Sequence, residues 1–171
     1  MVVTLSLSHR EAQDSLAQYL RVRYTKPPMV FTEVALSGSR GSAGRLDVVA
    51  LWVSGGYRNS VVHGYEVKVS RSDLLRDLRS GKYRRYLTQV DRLYFALPKE
   101  IARADEIPAG VGVVVLDGTS WHVSHAAKKQ ARKQDSSLPW RLLWRAHAEV
   151  NSERSERRRL QAVLRDRARY D

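Results

Sequence analysis

Two carboxylates and an amine stand close enough in this chain to do phosphate chemistry. Glu66 and Lys68 lie two residues apart in VVHGYEVKV (61–69), so on a strand they share one face. Tyr65, Val67 and Val69 take the other face. RLDVVALWV (45–53) precedes it across SGGYRNS, whose glycines suit a hairpin. A hairpin symmetric about Gly56-Tyr57 sets Asp47 opposite Glu66. Paired strands are roughly 4.8 Å apart, so both carboxylates can grip one small cation. With a substrate phosphate oxygen they make a hard oxygen site suited to Mg²⁺ or Mn²⁺. Lys68 can position a water or stabilise charge developing on phosphorus. Glu33, on a preceding strand, is a further candidate acid. Alone, Glu-x-Lys is more often a structural ion pair on a solvent-facing strand. Asp47 in register and the basic helix that follows favour the site.

The elements that must hold this trio can be read along the chain. Residues 8–24 form a first helix, capped by Ser8 and carrying Ala12, Leu16, Tyr19 and Leu20 at helical spacing. MVFTEVAL (29–36) is a strand by its β-branched content. SGSRGSAG (37–44) reads as a flexible basic loop. Ser70-Arg71-Ser72-Asp73 opens a second helix with Leu74, Leu75 and Leu78 on one face, and Gly81 interrupts it. RLYFALP (92–98) and VGVVVLD (111–117) are strands, with a short helix at 99–105 between them and an edge strand at 119–123. AAKKQARKQDSS (126–137) has the polar composition of a linker, and the chain is helical from Ser137 to about Arg169.

RLDVVAL, then GYEVKVSRSDLLRDLRSGKYRRY, then DRLYFALP resembles the PD-(D/E)xK nuclease superfamily, and within it the MmcB-like DNA repair proteins. The resemblance spans roughly 8–125 and is densest over 45–98. It implies an α/β fold with a restriction-endonuclease-like αβββαβ core, a mixed sheet flanked by helices. It also implies Asp47 and Glu66 as metal ligands, Lys68 as the catalytic lysine and Glu33 as the upstream acid. Leu46 stands where the superfamily has proline, a residue the chemistry does not require. The expected organisation is a nuclease-like domain over 1–127 and a basic C-terminal helical extension over 128–171.

Charge agrees with such a partner. The 171 residues carry 30 Lys+Arg against 18 Asp+Glu, a net charge of +12, which favours polyanions, here DNA. Residues 128–171 contribute 13 basic and 6 acidic residues. Arg71, Arg76, Arg79, Lys82, Arg84, Arg85 and Arg92, with Tyr83 and Tyr86 interleaved, are candidates for a phosphate track. A solvated helix face explains them equally well. Arg40 and Arg45 in the glycine-rich stretch are either backbone contacts or loop solvation. That stretch lacks a Gly-Lys-Ser/Thr ending, so it is no ATP cradle.

Cysteine is absent, which excludes disulfides, thiolate zinc sites and a cysteine nucleophile. No apolar run is long enough for a membrane span, and a cytoplasmic, nucleoid-associated protein is expected. His63, His122 and His125 read as structural histidines. Trp140, Leu143, Trp144, His147 and Val150 form a helical stripe expected to dock on the core or to build a homodimer through the C-terminal helices. The expectation is a metal-dependent DNA endonuclease acting in repair or processing. The alternatives are a non-catalytic nucleic-acid-binding module and a helical partner-binding adaptor.

Overall fold

Helix α1 (His9–Arg23) starts at a capping box: Ser8 accepts from the Glu11 N–H, and the Glu11 carboxylate accepts from the Ser8 N–H at 2.8 Å. Its apolar side, Ala12, Leu16, Ala17 and Leu20, is fully buried. Six strands follow: β1 (Met29–Gly38), β2 (Gly41–Trp52), β3 (Val61–Val67), β4 (Arg92–Pro98), β5 (Gly112–Asp117) and β6 (Ser120–His125). Between β3 and β4 lie α2 (Arg71–Ser80) and the single turn α3 (Arg84–Leu87), and α4 (Leu138–Arg167) closes the chain. These elements come from a computed structural model describing residues 7–38, 41–54, 59–101, 103–132 and 137–167.

The strands form one mixed sheet in the order β1-β2-β3-β4-β5-β6. β3, β4 and β5 are mutually parallel, and the other neighbours are antiparallel. One face packs on α1 through Val48, Ala50, Tyr65, Val67, Tyr94, Ala96 and Val114. The other packs under α2, α3 and the start of α4 through Phe31, Val34, Leu46, Val49, Val62, Leu93, Phe95 and Val113. The α/β class and the mixed sheet flanked by helices are as the sequence implies.

β1 and β2 change phase midway, which bears on the site. Phe31 faces the larger core, but so do Val34 and Leu36; on β2, Val49 and Leu51 face it, but so does Leu46. Regular alternation forbids this. The inversion occurs at Glu33 and Asp47, which stand opposite each other between the bridged pairs Thr32–Val48 and Val34–Leu46. Glu33 has φ of 55°, the left-handed region disfavoured for a side chain with a Cβ. Each strand thus spends one residue on turning its pleat over, and Asp47 sits on the turn.

The stretch read as a flexible loop at 37–44 is largely strand. β1 runs to Gly38 and β2 begins at Gly41, with a register shift after Leu36. β-branched content missed this because glycines and serines can pair through their backbones. The short helix expected at 99–105 is two 3₁₀ turns, Lys99–Ile101 and Ala104–Glu106. The polar stretch after 126 is stitched down: the Lys128 N–H donates to the Gly110 carbonyl, the Gln130 N–H to that of Asp91, and Ala127 is buried.

α4 docks by a stripe that shares only Leu143 with the one its aromatic residues suggest. Leu138 and Leu142 are buried in the larger core. Arg141 and Arg145 donate to the Ala35 and Thr32 carbonyls of β1 at 3.1 Å each. Trp140 and Trp144 face outward. Indole size and aromaticity suggested core; the narrow space over β1 accepts leucines instead.

Candidate active site

Glu66 lies at the C-terminal end of β3, on the face that α2 covers. Its side chain is 3% exposed. The β2–β3 ladder keeps the expected register from Trp52–Val61 to Val48–Tyr65, which makes Asp47 and Glu66 the next facing positions. The hairpin's pivot at 56–57 falls outside the described residues. Beyond the last bridge the strands part, and the Asp47 side chain fills the gap: its Oδ2 accepts the Val67 N–H at 2.7 Å. His9 Nε2, in the first turn of α1, is 3.3 Å from the same oxygen.

Lys68 follows the strand's end, with its N–H still bonded to the Ala96 carbonyl of β4. Its Nζ lies 3.1 Å from Glu66 Oε1 and 2.7 Å from Asp77 Oδ2. Lys82 reaches Glu66 Oε1 from the other side, also at 3.1 Å. The second Glu66 oxygen, Oε2, is buried with no hydrogen-bond partner. The buried acid therefore has one oxygen shared by two ammoniums and one oxygen unmatched.

Burial pushes the Glu66 carboxyl above its ordinary range, and nearby Asp47 pushes the same way; Lys68 and Lys82 pull against them without cancelling. For Lys68, burial opposes the charge, but Glu66 and Asp77 outweigh it and hold the ammonium firmly protonated. Lys82 is raised likewise, burial being outweighed by its Tyr86 and Glu66 contacts. Such a carboxyl gains most from one more positive charge at its open oxygen.

α2 supplies Asp77 because its start and stop are fixed. Ser70 caps it by accepting from the Asp73 N–H, and Gly81 ends it in the left-handed conformation at φ of 65°. Asp77 lies three residues after the buried Leu74, so it points inward. It is a buried acid that anchors Lys68. The available signal was its place on the leucine stripe. His9 had no local signal, because its neighbour Asp47 is 38 residues away.

The other candidates are distributed differently. Glu33 is across β1–β2 from Asp47, but its carboxylate pairs with Arg45 Nε at 2.5 Å. Arg40 lies outside the described residues. Arg71 is partly buried against Glu106, and exposed Arg76 pairs with Asp73 along the helix. Arg84 and Arg85 are exposed. Tyr86, expected among the nucleic-acid contacts, is instead fully buried. It donates to the Arg45 carbonyl at 3.2 Å, and its ring lies under the Lys82 ammonium, 5.6 Å from the centroid. It thereby braces the lysine that braces Glu66. Gly44 makes room for it, since a Cβ there would stand 3.1 Å from the tyrosine hydroxyl.

Among the described residues no three His, Asp or Glu side chains form a ready-made metal cage. Mg²⁺ does not need one, because it binds through one or two carboxylates and keeps waters or substrate oxygens. Asp47 and the open Glu66 oxygen fit that mode.

The family model for MmcB-like DNA repair proteins matches residues 19–142. The chain belongs to the MmcB-like DNA repair family. The matched span includes every strand, the Asp47–Glu66–Lys68 pocket and the docked first turn of α4, and it supports a DNA-repair-related role. A solved structure of a protein of unknown function from Silicibacter pomeroyi is similar over 88% of this chain and 94% of its own, with a TM-score of 0.62 and 22% identity. That likeness shows the shared fold of this MmcB-like chain. No curated protein matches it. No helix among the described residues is long and apolar enough to cross a membrane.

Proposed function

We propose that this protein is a metal-dependent DNA endonuclease, hydrolysing phosphodiesters in DNA repair or processing. The observation that carries the reading is the Glu66 carboxylate: almost fully buried, braced on one oxygen by two lysines and unmatched on the other, beside Asp47. Buried carboxylate oxygens are ordinarily hydrogen-bonded, and this one faces a neighbouring acid instead of a donor.

Asp47 and Glu66 would hold Mg²⁺ or Mn²⁺, which when bound neutralises phosphate charge and lowers the pKa of a coordinated water. The chain's own groups do the rest. The Val67 N–H and His9 fix the Asp47 carboxylate. Lys68 has three N–H donors and uses two on Glu66 and Asp77; the third is left for the attacking water or a phosphate oxygen. Lys82, braced by Tyr86, keeps Glu66 in place. Exposed Arg84 and Arg85, just past Lys82, can receive the DNA backbone.

The test is cleavage of duplex, nicked, branched and single-stranded DNA with Mg²⁺ or Mn²⁺. Cutting is expected with the native chain and not with Asp47→Ala or Lys68→Ala. Metal-dependent cutting that survives in both variants would overturn the assignment. One observation favours a second reading, a DNA-binding module without catalysis: Glu66, Lys68, Asp77 and Lys82 already form a linked ion network. Salt-sensitive binding with no cleavage of any substrate is its signature.

A further inference from the structure

The outer face of α4 plays no part in that chemistry, yet its residue types are specific. Helical spacing lines up Trp140, Trp144, His147, Asn151, Arg154 and Arg158 in one stripe, about 27 Å long at 1.5 Å per residue. All six are exposed, Trp140 by 55% and Trp144 by 63%. The Trp140 and Trp144 rings are 6.3 Å apart at 35°, and the Trp144 and His147 rings are 5.8 Å apart at 33°. Both tryptophans and Arg141 line a cleft of about 420 Å³. The docking stripe, Leu138, Leu142 and Arg145, continues at the same spacing into Glu149, Glu153 and Glu156. Past residue 148, Glu149, Glu153 and Glu156 follow the core side, while Arg154 and Arg158 follow the tryptophans.

This composition selects among occupants. A second copy packed helix to helix would want branched aliphatics at these positions, and Trp, His, Asn and Arg are not such a seam. A lipid surface would want aromatics on one face and arginines on the other, whereas here they share a face. Stacking rings followed by guanidinium groups match a polyanion with exposed bases.

We propose that the α4 stripe is a docking surface for single-stranded DNA, with bases on Trp140, Trp144 and His147 and phosphates on Arg154 and Arg158. Position supports this. Arg141 and Arg145 fasten the helix to the carbonyls of Ala35 and Thr32, on either side of Glu33, and Glu33 stands across from Asp47. The helix that carries the stripe is thus fixed to the strand that neighbours the one carrying Asp47. The proposal rests on the nuclease reading for its choice of DNA, but it concerns a surface that can be tested without cutting.

The experiment uses the full chain in EDTA, with labelled oligothymidylate and a blunt duplex as probes. Affinity is read by anisotropy and by quenching of tryptophan fluorescence. Trp140→Ala/Trp144→Ala is expected to weaken oligothymidylate binding about tenfold or more, and duplex binding by less than about twofold. Trp140→Phe/Trp144→Phe keeps a ring at each position and is expected to retain most of the affinity. Both tryptophans are exposed, so the fold tolerates the changes. Unchanged oligothymidylate affinity in the alanine variant would overturn the proposal. So would an equal loss on duplex, or a change confined to oligomeric state, which would make the stripe a self-interface. Tryptophan-dependent binding by a chain that cuts no DNA would sink the nuclease reading and leave this surface standing. Asp47-dependent cutting with tryptophan-independent binding would do the reverse.

Discussion

Glu66 and Trp144 each stand where their residue type is rare: as whole residues, the first is 2% exposed and the second 63%. The two regions handle the mismatch differently. Around Glu66 the fold surrounds the misplaced charge with Lys68, Lys82 and, through Lys68, Asp77. Each group is held by another, so any one change disturbs the set. On the outer face of α4 the aromatic rings stand beside one another at the surface, with Asn151 within hydrogen-bond distance of the His147 ring. Polar groups in a core must be fixed in number and place, whereas apolar groups on a surface need only be displayed. The pocket is suited to chemistry, which needs atoms held still, and the stripe to contact with a flexible partner.

This contrast can be broken most sharply at the pocket. Lys68→Ala leaves Glu66 and Asp77 without their shared ammonium, and cleavage should fall about a hundred- to a thousandfold. Asp77→Asn keeps the shape but removes the charge holding Lys68; a fall of about ten- to a hundredfold in kcat is expected, with less change in KM. Equal rates for Asp77→Asn and the native chain would show that the inner acid merely fills space.

The two faces of α4 offer the next test. Leu142→Ala opens a cavity in the larger core and should lower the unfolding free energy by about 2–4 kcal/mol. Trp144→Ala, two residues on, should change it by less than about 0.5 kcal/mol. Urea unfolding of both variants decides this, and a large loss from Trp144→Ala would mean that the indole is a packing residue after all.

A smaller effect sharpens the rule for buried polar groups. His63 sits between Trp52 and Tyr94, with ring centroids 4.7 and 5.8 Å away. Burial, helped by the Arg92 charge, pushes its pKa down to about 4 from 6.5. The unfolded chain then binds more protons between these values, so His63 contributes stability that is complete above pH 6.5 and lost as pH falls toward 4. At pH 4.5 the loss should be about 2 kcal/mol. Unfolding of His63→Phe and the native chain at pH 7 and pH 4.5 isolates it, and a stability difference independent of pH would contradict it.

How much of this was legible depended on range. The Ser8 and Ser70 caps and the Gly81 stop are local and came out as the sequence implies. The facing positions of Asp47 and Glu66 were legible because hairpin register follows from one turn. What failed was non-local. Nothing near Asp77 says that a lysine nine residues earlier turns toward it, and nothing near His9 points to Asp47. Tyr86 looked like a surface aromatic among arginines, because its cavity depends on Gly44, far back on β2. Glu33 was found as an acid, but not as the hinge of the strand phase. Backbone inversion has no residue-type signature when the residue is not glycine.

The arginines that fasten α4 also have a consequence for the company this protein keeps in solution. β1 is an edge strand of ten residues, long enough to recruit another chain's strand. Arg141 and Arg145 occupy two of its backbone acceptors. A chain shortened before α4 would bare that border, and its expected fate is edge-to-edge assembly into insoluble ribbons rather than a smaller, well-behaved protein.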